Sequence, residues 1–193
     1  MTGSGMRVLI LSQYYAPESV PKPAELAEAL AGRGHAVSVV TAFPNYPLGH
    51  VFPGYRLRLL ARDRSGPVPL VRTFVYPYHG SSNPRRCLNY ASFMVSSLLG
   101  GLVAPRCDVV YVWHPPLTIG IAAWLIGMLK GAPVVYDVQD IWPDSLIAAG
   151  RVGRPRAVAA LRALERFVYA RAARVLVGTP EARANLLAKG VPE

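Results

Sequence analysis

The sequence predicts an α/β domain built on a Rossmann-like, doubly wound parallel sheet, and three observations carry that reading. Short, almost unbroken apolar runs recur along the chain: RVLILS (7–12), DVVYVW (108–113) and PVVYD (133–137). Strands covered by helices on both faces of a parallel sheet read this way, because neither face is left for polar residues. Stretches of helical periodicity separate the runs. The first three elements, strand, helix and strand, fit into about 35 residues, the size of a βαβ unit.

The elements follow in order. Strand 7–12 leads into a polar loop rich in proline, QYYAPESVPKP. Pro23 suits the first turn of a helix, because its missing N–H is one that a helix start leaves unbonded. In that helix, AELAEALAGRG (24–34), Leu26, Ala27, Leu30 and Ala31 share one face, and Gly32 and Gly34 supply the stop. Residues 35–43 form the second strand. Residues 44–55, PNYPLGHVFPGY, are a loop of turn formers, and 56–66 are basic and irregular. A strand at 68–76, a helix at 84–104, the strand 108–113, a helix at 116–130 and the strand 133–137 continue the alternation. A short helix covers 141–148. A long helix, 154–173, has Ala157, Leu161, Leu164 and Val168 as its inner stripe. A strand at 174–178 and a helix at 180–190 complete the pattern.

With 193 residues, 52% hydrophobic and 17% charged, the chain suffices for one domain with a substantial core. Residues 1–5, MTGSG, read as a disordered extension, and the domain as 6–193. The final VPE reads as a cut, since another strand would normally follow the last helix. The apolar start is only a strand long and has no cleavage site behind it, so it is not a secretory signal. No run reaches the roughly 20 apolar residues of a spanning helix. Residues 87–104 and 117–129 come nearest and read as buried or interfacial helices. Two cysteines, Cys87 and Cys107, make no disulfide framework and fit a reducing compartment. The net charge of +10, mostly arginine, favours anionic partners without choosing among nucleic acid, acidic lipid and phosphorylated ligands. It reads equally as genomic base composition.

In an open parallel sheet, ligands bind beyond the carboxyl ends of the strands. There the sequence places Ser12 to Glu18, Phe43 to Pro47, His114 with two prolines, Val138 to Trp142, and Thr179 to Glu181. That set is polar, aromatic and proline-rich, as suits a rigid cleft for a polyhydroxylated ligand. Each member also has a plainer reading. Ser12, Thr179 and Asp140 are candidate helix caps. His114 reads equally as a satisfied loop histidine, Asn45 and Asp144 as turn or cap residues, and Lys22 as solvated. There is no G-x-G-x-x-G after the first strand, no G-x-x-x-x-G-K-[ST] and no G-x-S-x-G. Cysteine and histidine lack metal-ligand spacing. The arginines are scattered rather than interleaved with aromatics, which gives nucleic-acid binding little support beyond charge.

MRVLILSQYYAPES, GRGHAVSVVTAFPNYPLGHVFPGY, LNYASF, DVVYVWHPP and VVYDVQDIWPDSL together resemble the N-terminal domain of family-4 retaining glycosyltransferases. Within that family they are similar to the bacterial WbuB-like and colanic acid surface-polysaccharide subgroup. The resemblance runs from Met6 to about Val191, and FPNYP with YDVQDIWPDS is its most specific part. It implies a GT-B architecture, two Rossmann-like domains facing one cleft, with the acceptor on the N-terminal side. The sugar nucleotide would sit on a C-terminal donor domain that this chain lacks, so the chain alone is expected to be inactive. The implied activity is retaining transfer of a hexose or amino-sugar from a nucleotide-sugar to a lipid-linked glycan, without metal or other cofactor. The implied location is cytoplasmic, peripheral on the inner face of the plasma membrane.

The resemblance carries over residue by residue only in part. Many relatives have a glycine-rich loop after the first strand; here APESVPKP has no glycine, and Glu18 and Lys22 are kept as ligand contacts. Many place a histidine after the strand corresponding to 133–137; here Gln139 stands there with Asp140 beside it. A glutamine is no general base, so no histidine role transfers. In front-face retaining transfer the leaving phosphate helps to take the acceptor proton. Gln139 would then hydrogen-bond the sugar while Asp140 orients it, and these two are the catalytic candidates. Asn45, Tyr46, His114, Asp137 and Trp142 join Glu18 and Lys22 as substrate-binding candidates. Arg85 and Arg86, ahead of an apolar helix, and Arg162 and Arg166, on the long helix, would face anionic lipid. The competing reading is a stand-alone, non-catalytic Rossmann-like module that docks a partner or a membrane; a nucleic-acid-binding α/β domain is the weakest alternative.

Overall fold

Strand β1 (Arg7–Ser12) lies near the middle of a seven-stranded sheet in the computed structural model, which describes residues 5–192. The extension expected at 1–5 falls, apart from Gly5, outside the described residues. In chain order come α1 (Lys22–Gly32), β2 (Ala36–Ala42), β3 (Leu60–Asp63), β4 (Leu70–Thr73), α2 (Asn83–Val103), β5 (Val109–Trp113), α3 (Ile119–Lys130), β6 (Val134–Val138), α4 (Asp144–Ala148), α5 (Pro155–Tyr169), β7 (Arg174–Val177) and α6 (Pro180–Ala188). The strand order is β3-β4-β2-β1-β5-β6-β7. All neighbours are parallel except β3 and β4. Without β3, this is the Rossmann order, and its direction reverses between β1 and β5. Their register, Val8↔Val109 to Ser12↔Trp113, ends both strands on the same edge.

The apolar runs are explained by burial on two sides. Val8, Ile10, Val37 and Val39 point to the α1 face, where Ala27 is buried and Leu26, Leu30 and Ala31 pack against the cluster. Leu9, Leu11, Val40 and Val112 point the other way, to Phe93 of α2, Ile119 and Ile126 of α3 and Val168 of α5. Helix α3 ends where Gly131 adopts a left-handed φ of 66°, which a glycine does without steric penalty.

Four expectations are corrected. The irregular stretch at 56–66 contains β3, which pairs antiparallel with β4 from Leu60↔Thr73 to Asp63↔Leu70. LARD has no apolar run, and as an edge strand it is defined by its partner rather than by its own pattern. The strand expected over 68–76 is hydrogen-bonded only at Leu70–Thr73. The helix at 141–148 shrinks to five residues, because Pro143 begins it. On α5, Ala157 is exposed, and the inner stripe runs through Leu161, Leu164, Glu165 and Val168.

Helix α2 meets the sheet at Gly100. A Cβ there would lie 2.6 Å from Thr73 Cγ2 and 2.8 Å from Val40 Cγ1. Both neighbours are β-branched and held in the sheet, so neither swings aside. Gly100→Ala gains up to about 1 kcal/mol of helix propensity and loses about 1–3 kcal/mol to overpacking. The expected net loss, about 1 kcal/mol, should appear as a lower urea midpoint at unchanged m-value.

Candidate functional site

Gln13 and His114 continue β1 and β5 past their last ladder positions, at the point where the strand order reverses. Both are about 1% exposed. Gln13 Nε2 donates to Asn89 Oδ1 at 2.8 Å, and Asn89 Nδ2 donates to the Tyr76 carbonyl at 2.7 Å. Gln13 Oε1 and both ring nitrogens of His114 have no hydrogen-bond partner. The imidazole sits edge-on to Trp142, with centroids 5.6 Å apart, and tilted against Tyr136 at 5.9 Å. Burial pushes its pKa down to about 4, against the opposing pull of the Asp140 charge. His114 is therefore a neutral imidazole at pH 7, under the site rather than lining it.

The loops after β1 and β2 are tied by one carboxylate. Glu18 Oε1 accepts from the backbone N–H of Asn45 at 2.7 Å and Tyr46 at 2.8 Å, and Oε2 from that of Tyr15 at 3.1 Å. Glu18 is 6% exposed, and burial raises its pKa against the three amides and the charge of Arg72. The ligand contact expected of Glu18 is thus replaced by a structural task, since both oxygens are already engaged. Asn45 is likewise buried and bonds the Phe43 carbonyl at 2.9 Å. Tyr46 remains half-buried between Tyr14 and His79, with centroids at 5.1 and 4.6 Å. Arg72 of β4, 4% exposed, donates to the Ala16 carbonyl at 2.9 Å and pairs with Asp63 at 3.5 Å.

The end of β6 is the open part. Tyr111 donates its hydroxyl proton to Asp137 Oδ2, and Gln139 Nε2 donates to Asp137 Oδ1 at 2.7 Å. Lys22 Nζ, from the first turn of α1, donates to Gln139 Oε1 at 3.3 Å. Asp140 Oδ2 accepts from Trp142 Nε1 at 3.0 Å. Lys22, Gln139 and Asp140 line a cleft of about 510 Å³ together with Asp144, Ser145, Thr179 and Asn185. That volume lies in the range of small-molecule sites. Ser145 Oγ and Asn185 Oδ1 are buried without a partner. Of the three expected caps only Thr179 is one, accepting from the Ala182 N–H at 3.2 Å. The wall is braced by Lys189, which reaches Asp144 and the buried Glu165 at 2.8 Å each.

The structure thus brings Lys22, Asp137, Gln139 and Asp140 together and sets Tyr46 on the neighbouring lip. Trp142, 7% exposed, packs behind them against Tyr90 and His114 and presents no open ring face. Among the basic residues, Arg85 is exposed over the Tyr78 ring at 5.7 Å. Arg86 is half-buried and acts on Tyr14 and His79 at the carboxyl edge. Arg162 and Arg166 are exposed, Arg162 at 4.0 Å from Asp144. Among the described residues, no helix is long and apolar enough to cross a membrane. Sequence reasoning missed Arg72, His79, Asn89, Ser145 and Asn185. Of these, Arg72 left a visible signal, an isolated arginine within an apolar strand.

The strand order is that of a Rossmann-type domain, with a polar cleft beyond the ends of β6 and β7. The chain belongs to the glycosyl transferase 4-like family: the family model for the Glycosyl transferase 4-like domain matches residues 22–193. The motifs had pointed to this family. The chain is also 30% identical over 160 residues to WcaI of Escherichia coli (strain K12), whose name assigns it to colanic acid biosynthesis as a glycosyl transferase. The match covers 77% of this chain, which spans 38% of that relative's length. A more distant likeness is to the catalytic domain of starch synthase IV from Arabidopsis thaliana, solved with ADP and acarbose. Its TM-score is 0.49 at 15% identity, over 69% of this chain and 34% of that one.

Proposed function

We propose that this domain is the acceptor half of a GT-B glycosyltransferase, working with a second, donor-binding domain. It would transfer a hexose or amino-sugar, with retention, from a nucleotide-sugar to a lipid-linked glycan during surface polysaccharide synthesis. Family membership supports the reaction class, and the name of the relative WcaI supports the polysaccharide setting. The observation that carries the assignment to a site is the run Lys22–Gln139–Asp137 beside Asp140 at the mouth of the cleft.

In this reading Lys22 and Asp137 hold the Gln139 amide from its two ends, which fixes its orientation before substrate arrives. Asp140 gives one oxygen to Trp142 and has its other for a sugar hydroxyl. The acceptor oxygen bonds to the anomeric carbon as the bond to the diphosphate breaks on the same face. The acceptor proton passes to the leaving phosphate oxygen. No side chain serves as general base, and no metal or other cofactor is required. The domain would act in the cytoplasm on the inner face of the plasma membrane. Leu88, Val95, Leu99 and Leu102 are exposed along α2, as are Met128 and Leu129 on α3, and they supply an apolar face for that contact. Arg85, Arg162 and Arg166 supply exposed positive charge on α2 and α5.

The test is release of nucleoside diphosphate from UDP- and GDP-sugars by the complete transferase containing this domain, with membrane lipid extract as acceptor. Asp140→Asn keeps an acceptor oxygen for Trp142 but loses the charge. It is expected to lower turnover about a hundredfold with the unfolding midpoint little changed. Full activity in that variant would remove Asp140 from the site. No release from any donor would leave the non-catalytic module as the better reading, to be followed with liposome binding.

A further inference from the structure

Tyr111 carries a hydroxyl into an otherwise apolar strand. It stands on β5, half-buried, and packs with Val109 against the α1-side core. Its hydroxyl reaches the neighbouring strand, 26 residues on, and donates to Asp137 Oδ2. Asp137 Oδ1 accepts from Gln139 Nε2 at 2.7 Å, and Gln139 Oε1 accepts from Lys22 Nζ at 3.3 Å. Four side chains, from β5, β6, the loop after β6 and α1, thus form one hydrogen-bonded chain.

The direction of every bond in that chain is determined. The phenol is a donor, since burial and then the Asp137 bond keep it protonated well above its ordinary range. A carboxylate only accepts and an ammonium only donates. Gln139 must therefore turn its NH₂ to Asp137 and its carbonyl to Lys22. Turned over, it would set oxygen against oxygen and N–H against N–H, leaving both ends unbonded. One Nε2 proton is left over. Among the described residues it has no partner, and Gln139 lines the cleft. Tyr111 secures this arrangement from behind. With its proton on Oδ2, both Asp137 oxygens are engaged and the carboxylate is held in one orientation. Without it, Oδ2 has no donor among the described residues, and the carboxylate can turn and release Gln139.

We propose that Tyr111 is a positioning residue of this site: through Asp137 it fixes the Gln139 amide so that an N–H, not a carbonyl, meets the ligand, and the ligand group held there is an oxygen that accepts a hydrogen bond. The inference rests on the transferase reading above for the reaction, and on the hydrogen-bond directions alone for the orientation of Gln139. The adjacent Asp140, with one oxygen on Trp142 and the other open, offers the opposite polarity. Two neighbouring hydroxyls of a sugar match that pair, one accepting from Gln139 and the other donating to Asp140. A donor set before the ligand arrives needs no reorganisation when it binds.

Two measurements test it. The first is NMR of the side-chain amides in the 193-residue chain, with the Gln139 pair identified by its loss in Gln139→Ala. One Gln139 proton should exchange slowly with water, and Tyr111→Phe, which keeps the ring, should speed that exchange about tenfold. An unchanged rate overturns the positioning role. The second is a double-mutant cycle on kcat/KM in the complete transferase containing this domain. Tyr111→Phe should lower kcat/KM about tenfold in the parent and have no further effect in Gln139→Ala. Equal losses in both backgrounds overturn the proposal, since the hydroxyl would then act without Gln139. Gln139→Glu, which has no N–H to offer, should lose at least as much as Gln139→Ala; full activity there overturns the donor assignment. If the complete transferase turns over no donor, the transferase reading fails by itself, and the exchange measurement still decides what Tyr111 does to Gln139.

Discussion

Replacing Glu18 with alanine is expected to lower the unfolding free energy by about 3–5 kcal/mol, the range for breaking a buried, hydrogen-bonded charge cluster. The three amides of Tyr15, Asn45 and Tyr46 lose their common acceptor at once. Buried amides without partners each carry a desolvation penalty of about 1–3 kcal/mol. The buried Arg72 also loses the nearby negative charge of Glu18 and keeps its ion pair with Asp63. Glu18→Gln should lose less, because one amide oxygen still serves Asn45 and Tyr46 while the NH₂ meets the Tyr15 N–H as donor against donor. Urea melts of the three proteins at pH 7 decide it. A loss under about 1 kcal/mol for Glu18→Ala, within the ordinary range of surface changes, would mean that the two loops hold each other without the carboxylate. At pH 7 the same variant should also disturb Tyr15 and Tyr46, whose backbones Glu18 positions.

Replacing His114 with leucine is expected to make stability less dependent on pH in acid. Burial pushes the folded pKa down to about 4 from the ordinary imidazole value of 6.5. Between those values the unfolded chain holds the proton and the folded one does not. Stability is therefore complete above about pH 6.5 and falls as the pH drops toward 4. For one such group the loss between pH 7 and pH 5 is about 2 kcal/mol. The gap in stability between His114→Leu and the parent protein should widen by that amount over the same interval. Glu18 has the opposite sign, because its raised pKa makes stability fall as pH rises past its unfolded value. It is common to both proteins and cancels in the comparison. At pH 7 the leucine variant should already be the more stable, since two buried nitrogens without partners disappear. A gap that stays constant with pH would mean that His114 is bonded or solvated in solution.

A buried imidazole with no partner, at the point where the sheet reverses, is a departure from the rule that buried polar groups are bonded. It was legible in the sequence as a histidine after a strand, but its burial was not. HPP reads as a loop, and loops usually lie on the surface. The same holds for Trp142. Its neighbours Asp140 and Asp144 mark a polar stretch, yet the indole turns inward to Tyr90 and His114. Glu18 shows the converse: a loop carboxylate beside lysine and prolines reads as a ligand contact, and only the amides of Asn45 and Tyr46, from a loop 27 and 28 residues away, show what it holds.

The sequence by itself determined the alternation of strands and helices and the family motifs. With them came the edge of the sheet on which every candidate residue lies. These are local properties, written in apolar periodicity and in prolines and glycines that act within a few residues. The tertiary structure alone decided which edge residues are open to a ligand and which hold the loops. Past the last ladder bond a side chain's direction depends on what the other loops bring to it. Lys22 meets Gln139 across 117 residues and Gln13 meets Asn89 across 76. Strand β3 shows the same limit, since its four residues become a strand only where β4 offers them an edge.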